Sequence, residues 1–411
     1  MQKMKVFKFF VVLGQLGTLL LLLANNGYAN ITEPGGVGAR GMGMASVVAN
    51  PDDPIAAFYY NPAGLARIEG ENIAGGVEFV FVRMNYRNSE GYNQRNHVTA
   101  PIPFFGYTTD RAKPVVLGIG LYSTLGVGFN FYKDPAHGVR EDIESSAGVL
   151  YLAPTIAYRI NPRLSVGFEL NIGYGAAEMN QPVRDKETGS YLGYLETEAD
   201  GFGYGCTIGL LYELTPSLTV GLNWRSPMKT SLEGDAKFAG IDGDLDLDPY
   251  WPQMVSLGLA YKPNPRLTFS VTVKWADWTY LDNSEFRYRG LPILNHPLVK
   301  DSRDTMRYSA GLEYRYNNKI VLRTGYEYDE HSVDSKYLSP LLADVNFHMF
   351  FGGIGFESGD WKADLFCVYT AVIDRENTDS LIGYPNQVLG YPKGEVSGNV
   401  PVPGFEISYR F

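Results

Sequence analysis

The chain has 411 residues, a formal net charge of −10, and 45% hydrophobic residues. An acidic chain without basic runs is not typical of nucleic-acid-binding proteins, so we expect no nucleic acid among its partners. Its 29 tyrosines and 46 glycines suit strands, interfacial girdles and tight barrel geometry better than helices.

The first element is a leader. Three lysines near the start (Lys3, Lys5 and Lys8) precede an apolar run over 9–23, and the small residues Gly27 and Ala29 follow it. This layout predicts a secretory signal peptide over residues 1–29. The alternative is a membrane anchor, but the run is short and interrupted for a bilayer span. Since no other long apolar run exists, the sequence predicts no transmembrane helix.

The segment 30–72 is rich in glycine and small residues and is too short to form an independent domain. From Ile73 onward the pattern has period two. In 164–174 the residues Leu, Val, Phe, Leu, Ile and Tyr alternate with Ser, Gly, Glu, Asn and Gly, and 267–275 and 405–411 repeat this alternation. One strand face is therefore apolar and the other is small or polar. In an outer-membrane barrel these faces meet lipid and lumen, respectively.

The connections between the predicted strands alternate in length. Short turns such as Asn161-Pro162 and Asn264-Pro265 alternate with long polar segments, as in outer-membrane barrels. This predicts an all-β fold, a closed antiparallel transmembrane β-barrel of about fourteen strands. The predicted strands are 73–86, 97–109, 114–128, 147–160, 163–177, 200–214, 217–238, 253–262, 265–277, 305–317, 319–328, 346–357, 360–371 and 401–411.

The chain ends on an aromatic residue, Phe411, after an alternating strand. A terminal aromatic of this kind resembles the assembly signal of bacterial outer-membrane barrels. The alternative is a chance phenylalanine, since aromatic residues are common in strands. We expect Phe411 to serve assembly, which makes the barrel-assembly machinery an expected partner.

Two motifs carry a family resemblance. Residues 38–43 read GARGMG, and residues 60–66 read YNPAGLA. Together with 221–238, 256–278 and Arg323-Thr324-Gly325, they resemble the FadL family of outer-membrane transporters for long-chain fatty acids and hydrocarbons. The set spans most of the chain after residue 29, and its most specific short motif is the turn Asn61-Pro62-Ala63.

The resemblance implies a division of the chain and a function. Residues 30–72 would form a hatch inside the lumen, and residues 73–411 the barrel. A hydrophobic ligand would land in an extracellular groove, move to a lumen pocket and leave sideways past a kinked third strand. It also implies the bacterial outer membrane as the location, contact with its lipid and lipopolysaccharide, no cofactor and a monomeric chain. Which hydrophobic molecule is carried is not indicated.

Two sets of residues are candidates for this passage. Gly126 and Gly128 lie in the third predicted strand; they predict either barrel curvature or a bulge that interrupts pairing. The aromatic residues Phe129, Phe131 and Tyr132 follow at the start of a predicted loop. They fit an apolar ligand groove and a headgroup girdle equally well. Without the family, Asn61-Pro62-Ala63 would be read as a surface turn.

Metal binding, catalysis and cysteine chemistry are considered next from the residues that could support them. The run 242–248 alternates aspartates, but the EF-hand positions for glycine and glutamate hold Leu247 and Gln253, which favours a solvated acidic loop over a calcium site. No histidine lies in a recognisable nucleophile pattern, so we expect no enzyme. Cys206 and Cys367 lie in separate predicted strands outside any CxxC, so we expect packing residues and no metal.

The main hypothesis is passive transport of a small hydrophobic molecule. A general porin would need an open, water-filled lumen and would pass a large ionic current. A structural or adhesion barrel would retain no apolar ligand on purification. Single-channel conductance and analysis of co-purified lipid therefore separate the three hypotheses.

Overall fold

The computed structural model describes residues 35–87, 93–131, 142–185, 188, 190–299, 301–335, 344–376, 383–384, 387–389 and 394–411. The predicted signal peptide 1–29 lies outside these residues and stays a prediction. Within the described part of the chain, no helix is both long and apolar enough to cross a membrane.

The elements begin with two short helices and a 3-10 helix and continue as strands. They are α1 (Ala39–Met44), α2 (Pro54–Tyr60), a 3-10 helix (Pro62–Arg67), β1 (Asn72–Arg87), β2 (Asn93–Thr109), β3 (Val115–Phe131), β4 (Ile143–Asn161), β5 (Leu164–Asp185), β6 (Tyr191–Thr215), β7 (Leu218–Arg225), β8 (Met228–Phe238), β9 (Ile241–Leu247), β10 (Tyr250–Trp251), β11 (Gln253–Asn264), β12 (Leu267–Asp277), a 3-10 helix (Trp278–Asn283), β13 (Glu285–Arg289), a 3-10 helix (Pro292–Leu294), β14 (His296–Pro297), β15 (Thr305–Arg315), β16 (Ile320–Asp329), β17 (Phe347–Ser358), β18 (Trp361–Val372), β19 (Arg375–Glu376), β20 (Gly383–Tyr384), β21 (Gln387–Leu389) and β22 (Glu395–Arg410).

Fourteen of these strands form a closed antiparallel wall, namely β1–β7, β11, β12, β15–β18 and β22. The wall closes where β1 pairs with β22, for example Asn72 with Arg410. The predicted fold class is thus confirmed. Short turns join the strands at one end, here named the short-turn end. Longer segments and the remaining strands occupy the other, the long-loop end.

Alternation sets the two faces of the wall. In β12, Phe269 and Val271 point outward and are 45% and 49% exposed, whereas Ser270 and Thr272 point inward and are buried. A strand places successive side chains on opposite faces, so its sequence assigns one face to lipid and one to the lumen.

The long-loop end differs from the prediction. The predicted strand 217–238 is broken at Ser226-Pro227 into β7, which stays in the wall beside β11, and β8, which pairs with β6 and β9. Pro227 has no N–H to donate to a ladder. The amide of Ser226 instead donates to the carbonyl oxygen of Cys206 at 2.8 Å, and the amide of Cys206 donates to Ser226 Oγ at 2.9 Å. The stretches 178–199 and 239–252, which lie between the predicted strands and were expected to be loops, are largely strands. Long ladders extend β5 and β6 over the first stretch, and β9 forms in the second.

Residues 35–68 pack inside the ring of strands. Ser46 bonds β12 through Thr272, with 2.6 Å between the hydroxyl oxygens, while the amide of Ala39 donates to Glu406 of β22 at 2.8 Å. Close approach requires glycine in the wall: a Cβ at Gly311 would collide with the carbonyl oxygen of Met44. The segment therefore lies within the lumen, in contact with the wall strands, rather than beside the barrel.

Candidate functional site

The turn at Asn61 ties the lumen segment to the wall. Asn61 is fully buried, and its Oδ1 accepts from the amide of Ala63 at 3.1 Å. Its Nδ2 donates to the carbonyl oxygen of Val48 at 2.9 Å and reaches Leu210 of β6 at 3.2 Å. An amide side chain supplies both donors and an acceptor. Asn61 therefore holds two parts of the lumen segment 35–68 (called the hatch below) together and also ties this segment to a wall strand.

The wall is interrupted between β2 and β3. Pairing joins Phe105–Thr109 to Leu117–Leu121. Nearer the long-loop end, 93–104 of β2 pair with β1, and the remainder of β3 pairs with β4. The register of β3 against β4 shifts between Ser123 and Leu125, where one extra residue forms a bulge. A bulge bends a strand, which explains why β3 departs from β2 here.

The predicted passage residues lie beside this bulge. Gly126 and Gly128 pair regularly with Gly148 and Ser146 of β4, so the irregularity precedes both glycines. Phe129 and Phe131 belong to β3, which corrects their predicted place at the start of a loop. Their side chains and the whole of Tyr132 lie outside the described structure, so the ligand groove stays a prediction.

Two prolines mark the free edge of β2. Pro101 and Pro103 pair with Phe79 and Val77 of β1, in the part of β2 that has no partner on β3. Proline carries no N–H, so these positions leave no donor without a partner at an edge. Sequence reasoning missed them, although a Pro-Ile-Pro inside a predicted strand is itself a signal of an edge.

An apolar cavity of about 80 Å³ lies at the long-loop end. Inward positions of β4 and β5, including Val149 and Met179, meet side chains of β8 and β9 there. The indole N–H of Trp251 donates to Thr230 Oγ1 at 2.8 Å, which satisfies its polar atom. The full lining is Ser145–Val149, Gly175–Ala177, Met179, Thr197, Thr230, Leu232, Leu245, Leu247, Pro249, Trp251, Leu281, Phe286 and Leu298.

A stacked pair of rings borders this cavity. Phe286 lines it, and the imidazole of His296 lies parallel to the Phe286 ring with 4.6 Å between centroids. Burial lowers the pKa of His296 to about 4 despite its contact with the Leu294 carbonyl oxygen. A neutral imidazole at neutral pH keeps this side of the cavity uncharged.

A second cavity, of about 560 Å³, connects these features. It shares residues 146–149 and 176–177 with the apolar cavity. It extends to Pro101–Pro103 and Ser123 at the interrupted wall, and to three exposed carboxylates on the outer face of β5 and β6, namely Glu178, Glu198 and Asp200. A shared lining thus runs from the long-loop lumen to the gap between β2 and β3.

Hatch residues close the base of this gap. Phe58 lies against Gly106, Gly118 and Gly120 of β2 and β3, where any Cβ would come within 3 Å of its ring. The turn that begins at Asn61 does not lie at this gap, because the Asn61 side chain reaches β6 and β7 instead. Tyr59 continues the barrier by contacting Tyr122 of β3, with 5.9 Å between ring centroids.

The remaining sequence candidates are the acidic run 242–248, the two cysteines and Phe411. Asp246 of the acidic run lies on strand β9, which corrects the predicted loop, and accepts from Arg289 at 2.9 Å. Within the described residues, no group of three or more possible metal-ligating side chains comes together. Both cysteines are free. Phe411 follows β22, and its amide donates to Glu71 O at 2.8 Å; its role in assembly stays a prediction.

Comparison with known proteins agrees with this geometry. Residues 24–411 match the model of the family described as outer membrane protein transport protein (OMPP1/FadL/TodX). The chain belongs to this family. It is an outer-membrane protein, so the short-turn end is periplasmic and the long-loop end extracellular. The family is one of transport proteins rather than enzymes.

Two curated relatives are distant. A long-chain fatty acid transport protein of Escherichia coli is 22% identical over 272 residues, which are 55% of this chain and 59% of that protein. Outer membrane protein P1 of Haemophilus influenzae is 22% identical over 210 residues, which are 42% of this chain and 45% of that protein. The matched region thus spans about half of each relative.

Solved structures show the same fold over almost the whole chain. A FadL homologue of Pseudomonas aeruginosa has a TM-score of 0.80 at 16% identity, covering 93% of this chain and 100% of that one. The toluene transporter TodX of Pseudomonas putida has a TM-score of 0.76 at 19% identity, covering 92% and 99%. Identities this low establish the fold alone.

Proposed function

We propose that this barrel moves small hydrophobic molecules passively across the outer membrane and releases them sideways, between β2 and β3, into the lipid. The observation that carries the proposal is the interrupted pairing beyond Phe105 and Leu121, together with a cavity that reaches this edge from the lumen. Such solutes cross the polar lipopolysaccharide layer poorly, so an apolar site followed by an exit into hydrocarbon needs no energy source.

The hatch supports a lateral rather than an axial route. Met44 fits against Gly311, and Val48 against Gly221, so closely that a Cβ on either glycine would overlap the hatch backbone. On the periplasmic side, Arg40 bonds Glu313 at 3.2 Å and Lys262 bonds Asp52 at 2.9 Å. An apolar ligand moving straight down would have to displace this charged layer, at a cost in lost ion pairs and hydrogen bonds.

The gap must also be compatible with lipid. An unsatisfied backbone group in hydrocarbon costs several kcal/mol, so open strand edges are ordinarily excluded there. Pro101 and Pro103 lack the N–H, which reduces this cost at the edge of β2. On the other side of the gap, β3 keeps its ladder with β4 as far as Phe131.

The test is to remove the bulge. Deleting Thr124 leaves Ser123 opposite Leu150 and Leu125 opposite Val149, which is the register of an uninterrupted ladder. A straight β3 is expected to continue pairing with β2 and to slow uptake of a labelled hydrocarbon, normalised to heat-modifiable barrel in the outer membrane. Wild-type uptake by a correctly folded deletion variant would exclude this exit.

A further inference from the structure

Two buried aromatic residues stand where the β2–β3 ladder ends. The ladder stops at the pair Phe105 and Leu121, so in the same register Phe104 would face Tyr122. Both of these side chains point inward and are 3% and 2% exposed, respectively. They therefore flank the gap on its lumen side, where a ligand that leaves sideways must pass between them.

The two rings turn away from the gap in opposite directions. The ring of Phe104 lies over Gly76 of β1, so closely that a Cβ at Gly76 would collide with it. Tyr122 leans the other way, because its hydroxyl donates to Glu169 Oε1 at 2.8 Å. Glu169 lies on β5, two strands beyond β3 on the side away from β2. The lumen side of the gap is thus bordered by two aromatic side chains that face apart.

A buried hydrogen-bond network fixes Glu169. Asn171 Nδ2 donates to Glu169 Oε1 at 2.6 Å, and Thr155 Oγ1 lies 3.2 Å from Glu169 Oε2. Thr207 of β6 donates in turn to Asn171 Oδ1 at 2.9 Å. All four side chains are buried and point inward from β4, β5 and β6. The acceptor of the Tyr122 hydroxyl is therefore held through both of its oxygens, which makes it a rigid anchor.

The hydroxyl decides which way the Tyr122 ring turns. An aromatic side chain in a strand has more than one staggered χ1 position, and the ladder with β2 has ended at this level. In the observed position the ring also stacks on Tyr151 of β4, with 5.8 Å between centroids. A ring that loses its anchor on Glu169 is free to turn into the gap, where its bulk would obstruct a ligand.

We infer that Glu169 is a positioning residue for the lateral exit: it holds the Tyr122 ring away from the β2–β3 gap and so keeps the exit clear. The inference rests on the proposed function, because it concerns an exit at this gap. Glu169 is 0% exposed, so it acts through Tyr122 rather than by touching the ligand. Its role requires an acceptor for the hydroxyl and does not require a charge.

The first test compares two substitutions of the same tyrosine. Tyr122→Phe removes only the hydroxyl, and uptake of a labelled hydrocarbon per folded barrel should fall by about fivefold, the population ratio that one typical hydrogen bond controls. Tyr122→Ala removes the ring itself and should keep uptake at or above that of the wild type. A purely structural role predicts the reverse order, because the alanine removes more buried contacts.

The matched control for the lost hydroxyl is Tyr288→Phe. Tyr288 lies on β13 of the extracellular sheet and is 2% exposed, as Tyr122 is. Its substitution removes the same atom from an equally buried ring outside the network of Glu169. Uptake by this variant is expected to equal that of the wild type.

The second test changes the anchor. Glu169→Gln keeps an oxygen that accepts from Tyr122, and its amide nitrogen donates to Thr155 Oγ1, so uptake should stay near that of the wild type. Glu169→Leu removes the acceptor, and uptake should fall as it does in Tyr122→Phe. Adding Tyr122→Ala to Glu169→Leu removes the unanchored ring and should restore uptake. Damage to packing would not be repaired by a further truncation.

The outcomes separate the inference from the function beneath it. Normal uptake by Tyr122→Phe or by Glu169→Leu overturns the inference and leaves lateral transport standing. Uptake that is lower in Tyr122→Ala than in Tyr122→Phe also overturns it. A double variant as impaired as Glu169→Leu does the same, since Glu169 would then not act through Tyr122. Absence of protein-dependent uptake by the wild type overturns the proposed function instead.

Discussion

Pairing in the described wall of this barrel is interrupted on each side of the β1–β2 pair. Between β2 and β3 the ladder stops beyond Phe105 and Leu121, next to a Pro-Ile-Pro segment. Between β1 and β22, no pairing joins 79–82 to 400–403, all of which the structure describes, and β22 carries a Pro-Val-Pro segment there. The same device, proline in a strand, thus occurs at both edges.

The two interruptions differ in what lies around them. At the β1–β22 edge, Glu78 faces Gly404 and Arg83 faces Asn399 in one unchanged register, so the strands stay alongside each other. Val80, Val82 and Val402 fill the lumen side and are buried in the hydrophobic core. At the β2–β3 edge, a bulge redirects the strand and a cavity lies behind it.

This difference shows that lost pairing alone does not make a passage. Proline lowers the cost of an unpaired edge in lipid, and that is sufficient for an edge that remains packed. An exit also requires a strand that bends away and space for a ligand to approach. Only the β2–β3 edge combines these features within the described part of the wall.

Filling the cavity should have the largest effect. Ala177 lines both the apolar cavity and the one at the gap. Ala177→Trp is expected to reduce hydrocarbon uptake by about tenfold or more, because the indole occupies the space that a ligand needs. Ala310→Trp is the matched control, since Ala310 is exposed on the outer face of β15. Unimpaired uptake by the first variant would place the route elsewhere.

Restoring backbone donors at each edge should separate the two interruptions. Pro101→Val/Pro103→Val returns two N–H groups to β2 and favours pairing with β3, so hydrocarbon uptake should fall several-fold, as expected for a partly closed exit. Pro401→Val/Pro403→Val does the same to β22 and should leave uptake unchanged. Equal effects of the two double variants on uptake would contradict the distinction drawn between the edges.

Loosening the packed edge should have the smallest effect on transport. Val402→Ala removes buried methyl groups from this edge, since Val402 is only 5% exposed. We expect a loss of roughly 1–2 kcal/mol in the free energy of unfolding, and unchanged uptake per folded barrel. The check is urea unfolding in detergent combined with the same uptake assay. Hydrocarbon uptake above that of the wild type would show that side-chain packing alone keeps the β1–β22 edge closed.

The sequence predicts the wall better than the passage. Alternation in 267–275 assigns the faces of β12 correctly, since the pattern needs only one strand. The break at Ser226-Pro227 could have been predicted from the missing N–H of Pro227, and the edges from the two Pro-x-Pro segments. The cavities could not, because they bring together β2, β4, β5 and β8, whose meeting depends on register and on the extracellular hairpins.

The most direct test of the lateral exit is reversible closure of the gap. Continued in register, the β2–β3 ladder would place residue 103 opposite residue 123. In a chain with Cys206→Ser and Cys367→Ser, we would join Pro103→Cys to Ser123→Cys with a short reducible thiol cross-linker. The matched control joins Val80→Cys to Val402→Cys at the other edge. The account predicts that hydrocarbon uptake stops on cross-linking at β2–β3, returns on reduction and is unaffected by the control. Equal uptake before and after verified cross-linking of 103 to 123 would contradict it.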